Sequence, residues 1–260
     1  MPKKERIRKY SSYDTDFCET RDQNFNIPEN YRWLREKNAD KLLSAVLYAI
    51  ALLFSFFYLR FFLKIRIKGR EKLKCAENEG IFLYANHTQP VGDVFLPAFA
   101  CFPKRIYTVV SRANLAIPVV GKLLPYLGAL PIADSISGMA QMSKAIKKHI
   151  SDKRSVVIYP EAHVWEYYTG IRPFSNESFL YPARLGAPVY CMTLTYKKSK
   201  LCRRPRAYAH IDGPFFAEGK NAYERSVQLF ESVLKCMNER SKESDCEYIV
   251  YEKATDIKRD

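Results

Sequence analysis

An unbroken run of uncharged residues near the start of the chain constrains its fold more than any other feature. The run extends from Leu42 to Leu59, reads LLSAVLYAIALLFSFFYL, and is bracketed by Lys41 and Arg60. As a helix it would be roughly 27 Å long, which is close to the thickness of the hydrocarbon core of a bilayer. We therefore predict a membrane-embedded helix over residues 41–63, with a buried core helix as the alternative interpretation.

The orientation of this helix is left open by its flanks. Basic residues stand before it (Arg32, Arg35, Lys37, Lys41) and after it (Arg60, Lys64, Arg66, Lys68, Arg70). The positive-inside rule therefore does not decide which end of the helix faces the cytoplasm. Both a helix that spans the membrane and one that enters it and returns on the same side agree with the pattern. The run lies too far from the N-terminus for a secretory signal, and no small-residue cleavage site follows it.

The charge of the chain requires an anionic partner. Lys and Arg number 42 against 28 Asp and Glu, which gives a formal net charge of +14. Membrane lipid, nucleic acid and a phosphorylated substrate all satisfy that requirement. The cysteines are odd in number, scattered and without a C-x-x-C pair, so neither a disulfide framework nor a zinc site is expected. We expect a catalytic domain that faces the reducing cytoplasm.

The rest of the chain divides around the apolar run. Residues 1–40 form a polar arm, which we interpret as a surface arm or a loosely docked segment, and which opens with the basic residues Lys3, Lys4, Arg6, Arg8 and Lys9. Residues 64–240 are predicted to form the main domain, and residues 241–260 are predicted to be a C-terminal tail. Within the main domain, short apolar runs alternate with amphipathic ones, which is typical of an α/β domain.

The apolar runs predict a single α/β domain with a mainly parallel mixed sheet flanked by helices. Strands are expected at residues 81–85, 106–110, 155–159, 189–196 and 207–211. Helical spacing follows Ser135 and Ser137, through Met139 to Ile150, and recurs from Tyr223 to Met237. Residues 113–133 are also apolar, but their prolines and glycines exclude a simple second span. Two interpretations remain open for them: a buried helix and loop, or a surface that faces the membrane or lines an acyl chain.

The chemistry of the chain is expected at the end of the first of these strands. His87 follows the strand IFLYA directly after Asn86, and Asp93 comes shortly afterwards in the segment NHTQPVGD. Strand ends meet at the edge of an open α/β sheet, where ligands bind. A neutral imidazole there can take the proton of a substrate hydroxyl, and a carboxylate on its other ring nitrogen would fix the tautomer.

The chain resembles the glycerolipid acyltransferase family in a series of motifs that occur in the family's order. These are NHTQPVGD (86–93), GALPIAD (128–134), YPEAHVW (159–165) and GAPVYC (186–191). The resemblance spans roughly residues 65–215, and the ordered set is far more specific than any single motif.

This resemblance implies transfer of a fatty acyl group from a thioester of coenzyme A or acyl carrier protein to a lipid hydroxyl, in phospholipid biosynthesis. His87 would be the base, Asp93 its orienting carboxylate, and Glu161, with Pro160 and Gly128, would bind the acceptor. The acceptor implied is a 1-acylglycerol-3-phosphate-like lipid, with another lysolipid or an unphosphorylated alcohol as the alternative. Neither a metal nor a redox cofactor is implied.

The chain departs from the family in the spacing of the dyad. Five residues separate His87 from Asp93, one more than usual. On a regular helix the extra residue would turn Asp93 by about 100° away from the histidine. Pro90 and Gly92 instead favour a turn, which could absorb the extra residue and restore the pair.

The family's usual phosphate-binding arginines are also missing. Ala162, His163 and Val164 follow the Pro-Glu pair in place of Gly, Thr and Arg, and Asp134 stands where an arginine is usual. The candidates to replace those arginines are Arg112, Arg172 and Arg184. A solvent-exposed surface position is the alternative for each of them, because no motif fixes where they lie.

Competing functions are less well supported by the sequence. A metal-dependent hydrolase would need His87, Asp93, Glu161 and His163 to converge, and no zinc-binding spacing is present. A serine hydrolase lacks its G-x-S-x-G motif, and a nucleic-acid-binding module lacks a recognisable motif. A basic lipid-binding protein with a degenerate acyltransferase fold remains the main alternative, and an Asp93 that points away from His87 would favour it.

Overall fold

The computed structural model describes residues 7–18, 22, 25–199 and 203–254. The basic residues Lys3, Lys4 and Arg6 of the predicted arm lie outside the described residues. Within the described part of the chain the strands are β1 (Ile7–Tyr10), β2 (Arg66–Lys68), β3 (Ile81–Ala85), β4 (Ile106–Val110), β5 (Ala129–Pro131), β6 (Ser155–Ile158), β7 (Val189–Lys197), β8 (Arg206–Phe215) and β9 (Val250–Lys253). The α-helices are α1 (Asn38–Phe57), α2 (Gly92–Cys101), α3 (Val120–Leu127), α4 (Ile136–Ser151), α5 (Leu180–Leu185) and α6 (Ala222–Ser241). Short 3-10 segments cover Arg70–Ala76, Arg112–Ala116 and Glu177–Phe179, and a π-helical turn follows α1 at Tyr58–Phe62.

A seven-stranded sheet forms the centre of the protein. Its strand order is β2-β8-β7-β3-β6-β4-β5, and the neighbouring strands are parallel except for the antiparallel pair β7 and β8. The five predicted strands are β3, β4, β6, β7 and β8, so the predicted α/β class with a mainly parallel mixed sheet is confirmed. The central strand β3 is buried at every residue. A near-continuous apolar run is what a parallel strand covered on both faces requires.

Helices cover both faces of this sheet. Because side chains alternate along a strand, Ile81, Leu83 and Ala85 of β3 face one hydrophobic cluster, which includes Leu96 of α2. The intervening Phe82 and Tyr84 face a second cluster, which includes residues of α4 and α6. The two-sided core fixes β3, and the loop that follows it, at the middle of the domain.

Helix α1 lies on the outside of this domain with most of its surface exposed. Together with the π-helical turn it runs from Asn38 to Phe62, and only 17% of its most apolar 18-residue segment is buried. A buried core helix is thereby excluded. Ser44 and Ser55 are the buried residues of α1 itself, whereas Leu42, Ile50 and Leu53 are more than half exposed. Among the described residues this is the one helix that is long and apolar enough to cross a membrane.

The apolar stretch of residues 113–133 folds as short pieces instead of a second long helix. The 3-10 segment at Arg112–Ala116, helix α3 and strand β5 share it. Gly128 ends α3 in the left-handed conformation, with a φ of 98°, and an added Cβ there would lie 2.6 Å from the Ile106 carbonyl oxygen. Glycine is therefore required at this position. Helix α3 packs against α1 and places part of the stretch beside the apolar helix.

The two ends of the described chain are joined to each other. β1 and β9 form a separate two-stranded parallel sheet, in which Ile7 pairs with Val250 and Tyr10 with Lys253. The predicted arm is also more firmly packed than a loosely docked segment, because Trp33 is buried in the cluster of α4 and α6. Apolar side chains spaced along the polar arm account for this difference. The predicted domain limits themselves stay predictions.

Candidate active site

The parallel strands β3 and β6 bring the predicted site residues to one edge of the sheet. His87 lies two residues beyond the end of β3, and Pro160 and Glu161 lie in the loop just beyond the end of β6. The two strands are hydrogen-bonded in parallel register, with Tyr84 opposite Ile158. Asn86 ties the end of β3 to β7, because its side chain accepts a hydrogen bond from Leu194 N and donates one to Leu194 O. The backbone before His87 is thereby held on both sides.

His87 and Asp93 are in contact despite their unusual spacing. His87 Nδ1 lies 2.8 Å from Asp93 Oδ2, and the backbone N–H of Gln89 donates to the same oxygen at 2.8 Å. The Asp93 side chain is fully buried, whereas that of His87 is 18% exposed. Helix α2 begins only at Gly92. The extra residue is therefore absorbed in the preceding turn, as Pro90 and Gly92 predicted.

Tyr159 supports the dyad and was missed in the sequence analysis. Its ring stacks on the His87 imidazole with centroids 4.3 Å apart, and its hydroxyl donates to the Asp93 backbone oxygen at 2.6 Å. Burial raises the pKa of Tyr159 well above its usual value, so the hydroxyl remains a donor. The signal was its position directly before Pro160, where the parallel neighbour of β3 ends.

Glu161 and Arg172 form a buried ion pair behind the histidine. Glu161 Oε2 accepts from Arg172 Nη2 at 3.1 Å and from the His87 backbone N–H at 3.2 Å, while Oε1 accepts from Arg172 N at 3.1 Å. Burial raises the pKa of Glu161, and Arg172 opposes that shift. Arg172 is 1% exposed, so a solvent-exposed position for it is wrong. The carboxylate of Glu161, which the motif predicted at the site edge, compensates the buried guanidinium.

A largely apolar cavity of about 1340 Å³ opens beside the dyad. It is larger than the roughly 300 to 1,000 Å³ of most small-molecule sites. His87, Asp93, Pro160 and Gly128 line it, and α1 contributes Leu52 among other residues. Glu161 and Arg172 do not line the cavity. Their side chains are 1% exposed or less and lie behind His87, and their predicted contact with the acceptor stays a prediction.

Three pairs of charged or ionisable side chains line the cavity, and one of them is the dyad itself. Arg112 Nη1 forms an ion pair with Asp134 Oδ2, which is the residue that stands in place of the family's arginine. His163 Nδ1 lies 3.3 Å from Asp16 Oδ2. Arg184 also lines the cavity. The guanidinium of Arg112 is thus partly neutralised where it faces the cavity.

The four residues that could have formed a metal centre are instead held in three separate pairs. His87 pairs with Asp93, Glu161 with Arg172, and His163 with Asp16. Elsewhere in the described part of the chain, one group could hold a metal ion, namely Cys191, Asp212 and Cys236. The Asp212 carboxylate is bound by Lys72 and Arg240, and none of the three residues of that group lines the cavity.

Comparison with known proteins assigns the chain to a family. A histidine–carboxylate pair beside an apolar cavity at the edge of an α/β sheet is an arrangement that suits transfer of a fatty acyl group to a hydroxyl, as in the class of acyltransferases. The chain belongs to the Acyltransferase family, whose model matches residues 64–195. The predicted resemblance to glycerolipid acyltransferases is confirmed.

A solved structure shares the fold. This is the 1-acyl-sn-glycerophosphate (LPA) acyltransferase PlsC from Thermotoga maritima, with a TM-score of 0.51 at 16% sequence identity. The alignment covers 81% of this chain and 86% of that chain. No curated protein matches the chain in sequence. At this level of identity the structural likeness shows the fold alone.

Proposed function

We propose that the chain is a membrane-bound O-acyltransferase that moves a fatty acyl group from an acyl-CoA or acyl-ACP thioester to a glycerolipid hydroxyl. The observation that carries this proposal is the 2.8 Å contact between His87 and Asp93 at the wall of the apolar cavity. The acceptor predicted from the resemblance is a 1-acylglycerol-3-phosphate-like lipid, which would place the reaction in phospholipid biosynthesis.

In the proposed mechanism the acceptor hydroxyl attacks the thioester carbonyl while His87 takes its proton. Asp93 accepts a hydrogen bond from Nδ1 of the imidazole, which leaves Nε2 as the base and stabilises the imidazolium that forms. The tetrahedral intermediate then collapses, the C–S bond breaks, and the thiolate takes the proton from His87. The carbonyl carbon keeps its acyl chain throughout, and neither a metal nor a redox cofactor takes part.

The apolar part of the cavity is the proposed place of the acyl chain. Tyr48, Ala51 and Leu52 of α1 line it together with Phe95 and Ala98 of α2. Helix α1 therefore contributes to the cavity on one side and presents exposed apolar residues on the other. We infer that this exposed face lies in the bilayer, with the catalytic domain on the cytoplasmic side, so that a lipid acceptor reaches His87 from the membrane.

The alternative of a lipid-binding protein without turnover loses its main argument. An Asp93 turned away from His87 would have favoured that alternative, and the two side chains are instead in contact. The basic surface remains compatible with anionic lipid in either case.

The test is acyl transfer from a labelled thioester to a panel of lysolipids and alcohols. Purified wild type is compared with His87→Ala and Asp93→Asn, at equal folded protein. Loss of turnover in both variants is the expected result, and the panel would identify the acceptor. Turnover that survives His87→Ala would overturn the mechanism. Absence of turnover in every sample, with lipid still bound, would favour the binding protein.

A further inference from the structure

Residues 7–18, called here the N-terminal clamp, pack against the loop that carries Glu161. The rings of Tyr10, Tyr13 and Phe17 surround Trp165, with centroids 4.7, 5.9 and 5.4 Å from it. Trp165 is fully buried, and its indole N–H donates to the Thr15 carbonyl at 2.9 Å. The clamp is therefore anchored at one aromatic residue of the catalytic loop.

The clamp reaches the backbone of His87 by two routes. The His87 carbonyl accepts a hydrogen bond from Trp165 N at 3.0 Å, and the His87 N–H donates to Glu161. Arg172 holds Glu161 and also donates from Nη1 to the Tyr13 carbonyl at 3.2 Å. The two residues that hydrogen-bond to the His87 backbone are thus both connected to the clamp, Trp165 directly and Glu161 through Arg172.

The clamp also forms part of the cavity wall. Asp16 and Cys18 line the same cavity as His87. Asp16 is held in place by its contacts with His163 and with the backbone N–H of Cys18, which lies 2.9 Å from Asp16 Oδ1. A segment that the sequence places far from every motif therefore borders the reacting groups.

We propose that the N-terminal clamp is a working part of the active site, which positions His87 and closes one side of the cavity. Trp165 acts as the positioning residue, because it bonds both the clamp and the His87 carbonyl. The proposal rests on the acyl transfer proposed above as the reaction to be measured. Displacement of a catalytic group by about 1 Å can cost roughly 10²-fold in rate, so the clamp affects kcat more than binding.

The chain offers a matched pair of variants for this test. Trp165→Phe keeps an aromatic ring and removes the indole bond to Thr15. Trp33→Phe removes a similar bond, from the indole to the Pro131 carbonyl at 3.3 Å, in the cluster of α4 and α6. We expect Trp165→Phe to lower kcat at least ~10-fold with little change in KM, and Trp33→Phe to keep the wild-type kcat. Equal losses in both variants, or a wild-type kcat in Trp165→Phe, would overturn the proposal.

Chemical labelling tests the clamp in a chain that is already folded. Cys18 and Cys75 are both exposed, and only Cys18 lines the cavity. A bulky maleimide should inhibit the wild type and Cys75→Ser, while Cys18→Ser should keep its own unlabelled rate. Acyl-CoA should slow the labelling of Cys18.

The outcomes of the labelling separate this proposal from the proposed function. Full activity after labelling of Cys18, verified by mass spectrometry, would refute the role of the clamp and leave the proposed function intact. A wild type that transfers no acyl group to any acceptor before labelling would refute the proposed function, and the clamp's role with it.

Discussion

Replacement of Asp93 by asparagine separates the two effects that the carboxylate has on His87. Asp93 Oδ2 accepts from both His87 Nδ1 and the Gln89 backbone N–H. The backbone donor cannot be reversed, so it requires an oxygen at this position. The asparagine carbonyl should therefore take the place of Oδ2 and keep the same histidine tautomer. What the variant loses is the negative charge.

The size of that loss follows from the geometry. The Asp93 side chain is fully buried and contacts an imidazole that is only 18% exposed. For unit charges about 4 Å apart, at an effective dielectric constant of about 20, the interaction is worth about 4 kcal/mol. If this stabilises the imidazolium of the transition state, kcat should fall about 10³-fold. His87→Ala removes the base itself and should be at least as severe.

The same substitution also leaves a donor without a partner. Asp93 Oδ1 is buried and has no hydrogen-bond partner in the described structure. An asparagine amide at that place would cost about 1 to 3 kcal/mol of stability, so activity has to be expressed per folded molecule. The assay is steady-state transfer of a labelled acyl group, with the folded fraction measured by near-UV circular dichroism. A kcat within tenfold of wild type would refute the role of the charge.

Three further perturbations follow from the ion pairs. Asp134→Asn frees Arg112 at the cavity wall and should lower KM for a phosphomonoester acceptor severalfold; an unchanged KM would show that Arg112 does not meet the phosphate. Glu161→Gln leaves the buried Arg172 without its carboxylate and should lower the free energy of unfolding by about 3 to 5 kcal/mol, measured by denaturant titration. Burial raises the pKa of the Asp212 carboxyl, but hydrogen bonds from Arg240 and Lys72 outweigh that effect and lower the pKa below its usual range. The ionised Asp212 therefore stabilises the folded state at pH values above about 3.9, the pKa of an unfolded aspartate, and this stabilisation is lost as the pH falls below that value. Asp212→Asn should make the free energy of unfolding depend less on pH in this acid range.

Three of the five strands that sequence reasoning found, β3, β6 and β7, are buried along nearly their whole length. β3 and β6 are short, continuous apolar runs, and burial explains them without any knowledge of their neighbours. β2 and β5 have three residues each and no such pattern. They are strands because β8 and β4 lie beside them, which is a property of the folded sheet.

The dyad was accessible to sequence reasoning because it depends on local geometry. His87 follows a buried strand, and the turn before α2 accommodates the extra residue before Asp93. The ion pair of Glu161 and Arg172 was not accessible in this way. No motif fixes the loop between these two residues, so burial of Arg172 could be recognised only once that loop was folded.

The pairing of β1 with β9 has a consequence for the order in which the protein matures. Ile7 pairs with Val250, so nearly the whole chain is synthesised between the two partners. Domains generally acquire structure from the N-terminus as the ribosome proceeds. All residues of α1 are thus synthesised while β9 does not yet exist, and β1 has no strand partner until β9 is made. The sheet of β1 and β9 is therefore completed only after the residues of α1 and of the catalytic loop have been synthesised.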